Sequence, residues 1–213
     1  MTPVTVLLAD DHAIVIDGLR HVLVTDFTVV GAVADGRALV VATRELKPEV
    51  VVADVSMPIL NGIEATRQIR QTDQHVKIVF FTMHSDFVYA AEAFQAGGSG
   101  YVLKSSPGTE IVTAIREALA GRTYVTPALD RQSLEAQMQR NRGPHPGVDH
   151  LPLRQREVLQ MAAEGQSTKQ IADTLGISPR TVEFHRYRAM KSLGLHTIAE
   201  LVQYAIRHHI ICL

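Results

Sequence analysis

Along the first 124 residues, short apolar runs alternate with longer stretches in which apolar residues recur every three or four positions. The runs are Val4 to Ala9, Thr28 to Ala34, Val50 to Ala53, Lys77 to Thr82 and Gly100 to Leu103, most of them rich in β-branched residues. Runs this short and this apolar predict strands buried on both faces. Between them, His12 to Thr25, Gly36 to Leu46, Gly62 to Gln71, Phe87 to Gln95 and Pro107 to Ala120 have helical length and one-sided polarity. Strand followed by helix, five times over, predicts a parallel sheet covered by helices on both faces. Ligands of such sheets bind at the carboxyl ends of the strands, near the point where strand order reverses.

The pattern changes after Tyr124. Leu129 to Arg140 (LDRQSLEAQMQR) reads as a polar helix, and NRGPHPGVDH then places two prolines and two glycines in ten residues, which predicts a linker. Helical periodicity resumes in Leu153 to Glu164, Ser167 to Leu175, Ser178 to Leu193 and Thr197 to His209. The expected organisation is an α/β domain over residues 1–124, a linker over 125–150 and an all-α domain over 151–213.

Composition supports a globular chain, with 46% hydrophobic and 20% charged residues. The lone cysteine, Cys212, leaves no disulfide framework. No stretch reaches the roughly 18 to 20 apolar residues of a membrane span, and MTPVTVLLADDH has no basic region before its apolar run. These features predict a cytoplasmic protein with no membrane partner. The net charge of −1 conceals an asymmetry. Residues 1–124 hold 10 Lys and Arg against 14 Asp and Glu, whereas residues 151–213 hold 8 against 5. The back half is therefore the part suited to a polyanion.

The third apolar run, VVAD, ends on Asp54, and a charge at the end of a buried strand is costly unless something pairs with it. The first run also ends in acids, Asp10 and Asp11, the fourth in Thr82, and the fifth is followed by Lys104. A parallel sheet gathers these side chains at one edge. Three carboxylates there repel one another unless a cation compensates, and oxygen-only ligands suit Mg²⁺. The set fits attack of a carboxylate on a phosphoryl group, with Asp54 as nucleophile, Asp11 on the metal and Asp10 in support. Thr82 and Lys104 then hydrogen-bond and neutralise the phosphoryl oxygens. Singly, each residue has an ordinary explanation: Asp10 or Asp11 as a helix cap, Lys104 as a solvated lysine. The ordered set at successive strand ends is what favours the chemistry.

In these terms residues 4–122 resemble the receiver domain of a two-component response regulator, through LLADDH, DVSMPILNG, FFTMH and GYVLKSS. The resemblance implies a flavodoxin-like (βα)5 domain that takes a phosphoryl group from a sensor histidine kinase onto Asp54. It also implies Mg²⁺ on Asp11, Asp54 and the backbone carbonyl of Ser56, and a paired rotamer switch of Thr82 and Tyr101. Ser105 stands where many receivers have proline, often after a cis peptide, so the isomer of Lys104-Ser105 is open. Ser56 and His84 fall at positions that in receivers tune the lifetime of the acyl phosphate.

In the back half, STKQIADTLGISPRTVEFHRYRAMKSLGL carries a capping box at Ser167 and Gln170, a stop at Gly176 and a restart at Ser178-Pro179, which together predict a helix-turn-helix. Val182, His185, Ala189 and Leu193 share the inner face of the second helix. Arg180, Glu183, Phe184, Tyr187, Arg188 and Lys191 are left outside, where cations reach guanine edges or phosphates, Glu183 accepts from cytosine N4 and Phe184 meets a thymine methyl. Exposed charge that serves only solvation is the plainer alternative. Residues from Leu151 to Leu195 resemble the LuxR-type DNA-binding domain, with Leu153, Arg156, Glu157, Gly165, Ile171, Ala172, Ser178, Thr181, Val182, His185 and Leu193 in register. Ser192 and Glu183 depart from the basic residues frequent there, which implies altered DNA contacts. The resemblance makes Ile198, Leu201, Val202 and Ala205 of the last helix candidates for a two-fold dimer contact.

A receiver followed by a LuxR-type domain is the arrangement of the NarL/FixJ family. The chain is therefore expected to be a phosphorylation-switched regulator that binds promoter DNA as a homodimer, and not an enzyme. Two rivals stand beside this reading. One is an Mg²⁺-dependent phosphatase of the aspartyl-phosphate type, but Ser56 occupies the place of its second aspartate. The other is a phosphorylation-independent DNA-binding regulator whose receiver serves only protein contacts.

Overall fold

The computed structural model describes residues 3–129, 134, 151–208 and 210–211. The chain divides into two compact units, Met1–Arg142 and Gly143–Leu213. Most of the expected polar helix and the Pro/Gly-rich linker lie outside the described residues, as do His209 and Cys212.

The first unit is a parallel sheet of β1 (Thr5–Ala9), β2 (Thr28–Val33), β3 (Val50–Ala53), β4 (Lys77–Thr82), β5 (Gly100–Leu103) and β6 (Tyr124–Val125), in the order β2-β1-β3-β4-β5-β6. Among the described residues five helices flank it: α1 (Ala13–Leu23), α2 (Gly36–Leu46), α3 (Gly62–Thr72), α4 (Phe87–Gln95) and α5 (Gly108–Leu119). The period of two in each strand feeds two separate cores. Leu7, Val51, Ile78 and Tyr101 meet Leu39, Ile63 and Ala90 on one face. Val6, Val52, Val79 and Val102 meet Leu19, Leu23, Ile111 and Ile115 on the other.

The sixth strand is an addition to the five expected. Two residues are too few to show a hydrophobic period, and β6 exists only because Tyr124 and Val125 pair with Gly100 and Tyr101. Strand order reverses between β1 and β3, so the carboxyl ends of these two strands frame the ligand edge.

The described residues of the second unit hold four helices: α6 (Leu153–Ala163), α7 (Thr168–Leu175), α8 (Pro179–Ser192) and α9 (Ile198–Arg207). The expected signals work as read. Ser167 and Gln170 form the reciprocal capping box, Gly176 ends α7 at φ +64°, and Ser178 caps α8 with Pro179 in its first turn. Val158, Leu159, Ile171, Val182, Ala189, Leu201 and Ala205 form the buried interior. Among the described residues no helix is long and apolar enough to cross a membrane.

His185 faces inward on α8, and its Nδ1 is buried with no hydrogen-bond partner. Burial, reinforced by the nearby Arg154 charge against the weaker pull of Glu157, holds its pKa below the ordinary histidine value. The unfolded chain then binds the proton more readily than the folded one. The histidine's contribution is fully present above about pH 6.5 and is lost as pH falls through the lower folded value. Urea midpoints at pH 7.5 and 5.5 check this: His185→Gln removes part of the acid-side loss that the native chain shows.

Candidate functional site

Asp54 follows β3 directly, and its N–H donates to the Ala9 carbonyl of β1 at 2.8 Å. That bond fixes its backbone against the residue that precedes Asp10. Both Asp10 and Asp54 are buried. The Lys104 ammonium, at the end of β5, reaches across β4 and lies 2.7 Å from Asp10 Oδ2 and 2.7 Å from Asp54 Oδ2. Burial alone would lower the lysine pKa, but the two carboxylates outweigh it and hold the pKa above the ordinary value. The other oxygen of Asp54, Oδ1, is buried with no hydrogen-bond partner. A buried carboxylate oxygen left unpaired is costly unless a ligand completes it.

Asp11 is exposed, and a residue that sequence reasoning passed over stands beside it. His12 Nδ1 lies 2.8 Å from Asp11 Oδ1 and 3.3 Å from Asp10 Oδ1, while its N–H donates to Asp10 Oδ1 at 2.9 Å. Asp10, Asp11 and His12 each offer a ligand atom within 4.8 Å of the others, the one such group among the described residues. Asp54 is joined to this group through Lys104. Carboxylate oxygens concentrated at one edge, with Asp54 Oδ1 unpaired, fit a hard divalent cation of the Mg²⁺ type.

The loop after Asp54 is tightly built. Ile59 takes φ +69°, and the Leu60 N–H donates back to the Pro58 carbonyl at 2.7 Å, which makes a γ-turn of the rare, strained form. Asn61 then caps α3. Gly62 must be glycine, because a Cβ there would lie 2.0 Å from the Asp54 carbonyl oxygen.

His84 gathers the remaining candidates. Its Nε2 is 2.6 Å from Ser56 Oγ, its ring stacks on Tyr89 at 4.2 Å, and its carbonyl accepts from the Tyr101 hydroxyl at 2.9 Å. Its N–H points to Thr82 Oγ1 at 3.4 Å. Thr82 and Tyr101 are both fully buried. All described peptide bonds are trans, Lys104–Ser105 included. The sequence reading marked His84 by position alone, and nothing in its spacing reveals these contacts.

On α8, Arg180, Glu183, Phe184, Tyr187, Arg188 and Lys191 are all exposed, and Thr181 is half-buried with its hydroxyl 2.8 Å from Ser178 Oγ. Two cations lie over exposed rings: Arg188 is 5.4 Å from the Phe184 ring centre, and Lys191 Nζ is 5.8 Å from that of Tyr187. Glu183 is not open in the way its position suggested. Thr168 of α7 donates to Oε1 at 2.6 Å, and Arg186 pairs with Oε2.

The dimerisation candidates divide by burial. Leu201 and Ala205 are fully buried in their own unit, because the apolar stripe of α9 packs on the other helices there. Ile198, 48% exposed, and half-buried Val202 are the members of that set still accessible.

Comparison with known proteins places this architecture. Residues 6–116 match the response regulator receiver domain, and residues 149–205 match the bacterial regulatory proteins of the luxR family. The fold and its two sites define a two-component response regulator with a LuxR-type DNA-binding domain, a transcription factor and not an enzyme. The chain belongs to the NarL/FixJ family. It is 35% identical over 207 residues to the response regulator UvrY of Escherichia coli (strain K12), covering 96% of this chain and 94% of UvrY. It is also similar to RcsB of Salmonella enterica serovar Typhimurium bound to promoter P1flhDC in the presence of phosphomimetic BeF3−, with 26% identity, a TM-score of 0.56 and coverage of 97% and 100%. A further similar structure holds two RcsB dimers on two parallel DNAs, with 25% identity, a TM-score of 0.57 and coverage of 95% and 98%.

Proposed function

We propose that Asp54 accepts a phosphoryl group from a sensor histidine kinase in the cytoplasm, and that the phosphorylated chain binds promoter DNA as a homodimer to regulate transcription. The observation that carries this reading is Asp54 itself, a buried carboxylate with one oxygen on Lys104 and the other unpaired. In this reading residues 1–124 are the receiver, 125–150 the linker and 151–213 the DNA-binding domain. Asp10, Asp11, Asp54 and the backbone carbonyl of Ser56 would hold Mg²⁺, which supplies charge neutralisation for the phosphoryl oxygens. Asp54 attacks phosphorus, the bond to the donor breaks, and the acyl phosphate stays on the strand end. Lys104 then turns from the two carboxylates to the phosphoryl oxygens, and Thr82 donates its hydroxyl to them. The movement of Thr82 gives the Tyr101 ring a second position, so that Thr82 and Tyr101 act as a pair.

The added charge biases a pre-existing equilibrium of the whole chain. Ile198 and Val202 provide the contact with a second copy, and two copies of α8 present Arg180, Thr181, Phe184, Tyr187, Arg188 and Lys191 to successive half-sites. The reported RcsB complexes with DNA support this part of the reading. The test is the affinity for DNA fragments selected from a random pool, measured before and after treatment with a small acyl phosphate. Affinity rises about tenfold in the native chain and does not change in Asp54→Asn. An equal response in both chains, or none in either, would favour the phosphorylation-independent regulator.

Glu183 adds a prediction of its own. Its carboxylate, held by Thr168 and Arg186, stands on a surface meant for a polyanion. Glu183→Lys strengthens binding to nonspecific DNA and steepens the dependence of log affinity on log salt by about one to two. Salt titrations of both chains on one unrelated duplex check it.

A further inference from the structure

A directed chain of hydroxyls stands where the polypeptide leaves the sheet, and the phosphoryl chemistry described so far does not use it. Thr126, the residue after β6, is fully buried. Its Oγ1 lies 2.6 Å from Glu110 Oε2 and 2.9 Å from Ser106 Oγ. A threonine hydroxyl has one proton, and a carboxylate only accepts. The Thr126 proton therefore goes to Glu110, and Ser106 must be the donor to Thr126. The chain runs from Ser106 through Thr126 to Glu110 and ends on a charge, which strengthens it. Tyr124 gives a second, longer bond to the same Glu110 oxygen at 3.3 Å.

Ser106 closes the turn that carries Lys104. Its N–H donates to the Leu103 carbonyl at 2.9 Å, so Lys104 and Ser105 occupy the two central positions of one turn. Neither is proline, so no ring presets the backbone there. The turn is held from outside instead. The Lys104 N–H donates to the Thr82 carbonyl at 2.7 Å, and the Ser106 hydroxyl is anchored on Thr126. Thr126 also donates its N–H to the Tyr101 carbonyl at 2.9 Å. One buried residue thus grips both the lysine turn and the strand that carries Tyr101.

We infer that Ser106, Thr126 and Glu110 are positioning residues for Lys104, and that through them the phosphoryl state of Asp54 is coupled to the segment that leaves β6. The inference rests on the phospho-acceptor reading of Asp54. In this inference the shift of Lys104 toward a phosphoryl group is carried through its turn to Ser106, which bears directly on Thr126. Coupling between two sites is reciprocal for equilibrium binding. A change at Thr126 must therefore alter how tightly the acidic edge holds a phosphoryl mimic, although Thr126 is outside that edge.

The experiment uses the full chain with Mg²⁺ and beryllofluoride, read by fluorine NMR well below every variant's melting temperature. Thr126→Val keeps the shape and removes the hydroxyl, whereas Thr126→Ser keeps the hydroxyl. Beryllofluoride binds about tenfold more weakly to Thr126→Val and within about twofold of native to Thr126→Ser. Amide exchange at residues 124–126 responds to beryllofluoride in the native chain and not in Thr126→Val. Native affinity in Thr126→Val would overturn the inference, even with a lowered melting temperature, and so would equal weakening in both variants. A native chain that binds no beryllofluoride at all would overturn the phospho-acceptor reading first, and the coupling with it.

Discussion

Lys104→Met loses its response to phosphorylation and is destabilised by about 3 kcal/mol in the absence of divalent cation. One ammonium serves two buried carboxylates, each at 2.7 Å, so its removal leaves Asp54 without a counter-charge and Asp10 with only its contacts to His12. A buried charge stripped of its partner costs more than the pair contributed. Added Mg²⁺ supplies part of the missing charge, so it raises the stability of Lys104→Met more than that of the native chain. The variant still offers Asp54 as an acceptor, but no cation follows the phosphoryl group, and DNA affinity no longer changes. Urea unfolding with and without Mg²⁺, beside DNA titrations, checks both halves. In the native chain the lysine pKa is raised on folding, so its contribution is fully present below the unfolded value, about 10.4. It is lost only as pH rises through the higher folded value.

Gly62→Ala is the second large effect. The new Cβ would sit 2.0 Å from the carbonyl oxygen of Asp54 and 3.0 Å from its carbon, and neither is the flexible end of a side chain. The backbone from Asp54 to Gly62 has to move, and the bond from the Gly62 N–H to the Val55 carbonyl goes with it. A cost of about 3 kcal/mol, or a fall of roughly 10 °C in melting temperature, is expected, together with a large loss of phosphoryl acceptance. Gly18→Ala is the matched control. It lies inside α1, where an added Cβ meets nothing within 4 Å, and it stabilises the chain by about 1 kcal/mol. Thermal melts and phosphorylation assays of the two variants separate crowding at the acceptor loop from the general effect of replacing glycine.

Asp10, Asp54, Thr82 and Lys104 could be read from the sequence because a doubly covered parallel sheet writes its strands as short apolar runs. The first polar residue after such a run has a known place at the sheet edge. The helix-turn-helix was legible for a similar reason, since Ser167, Gly176, Ser178 and Pro179 each act locally. What depended on contacts between distant segments was not legible. β6 is two residues long and is defined only by its pairing with β5. His12 looked like the start of a helix, yet its imidazole settles against Asp10 and Asp11. Glu183 looked free to meet a base until Thr168 of the preceding helix was found on its carboxylate. The stripe on α9 showed that one face is apolar, but spacing alone does not say whether the cover is the same chain or a second copy. Burial assigns Leu201 and Ala205 to the same chain.

Whether Asp54 is a metal-dependent phospho-acceptor is decided by the intact mass of the chain. Purified protein is incubated with Mg²⁺ and a small acyl-phosphate donor, beside Asp54→Asn and a sample stripped of divalent cations. One added phosphoryl group is expected in the first sample and none in the two controls. A mass unchanged in all three, under conditions fast enough to outrun hydrolysis of an acyl phosphate, or an adduct that persists in Asp54→Asn, would contradict it.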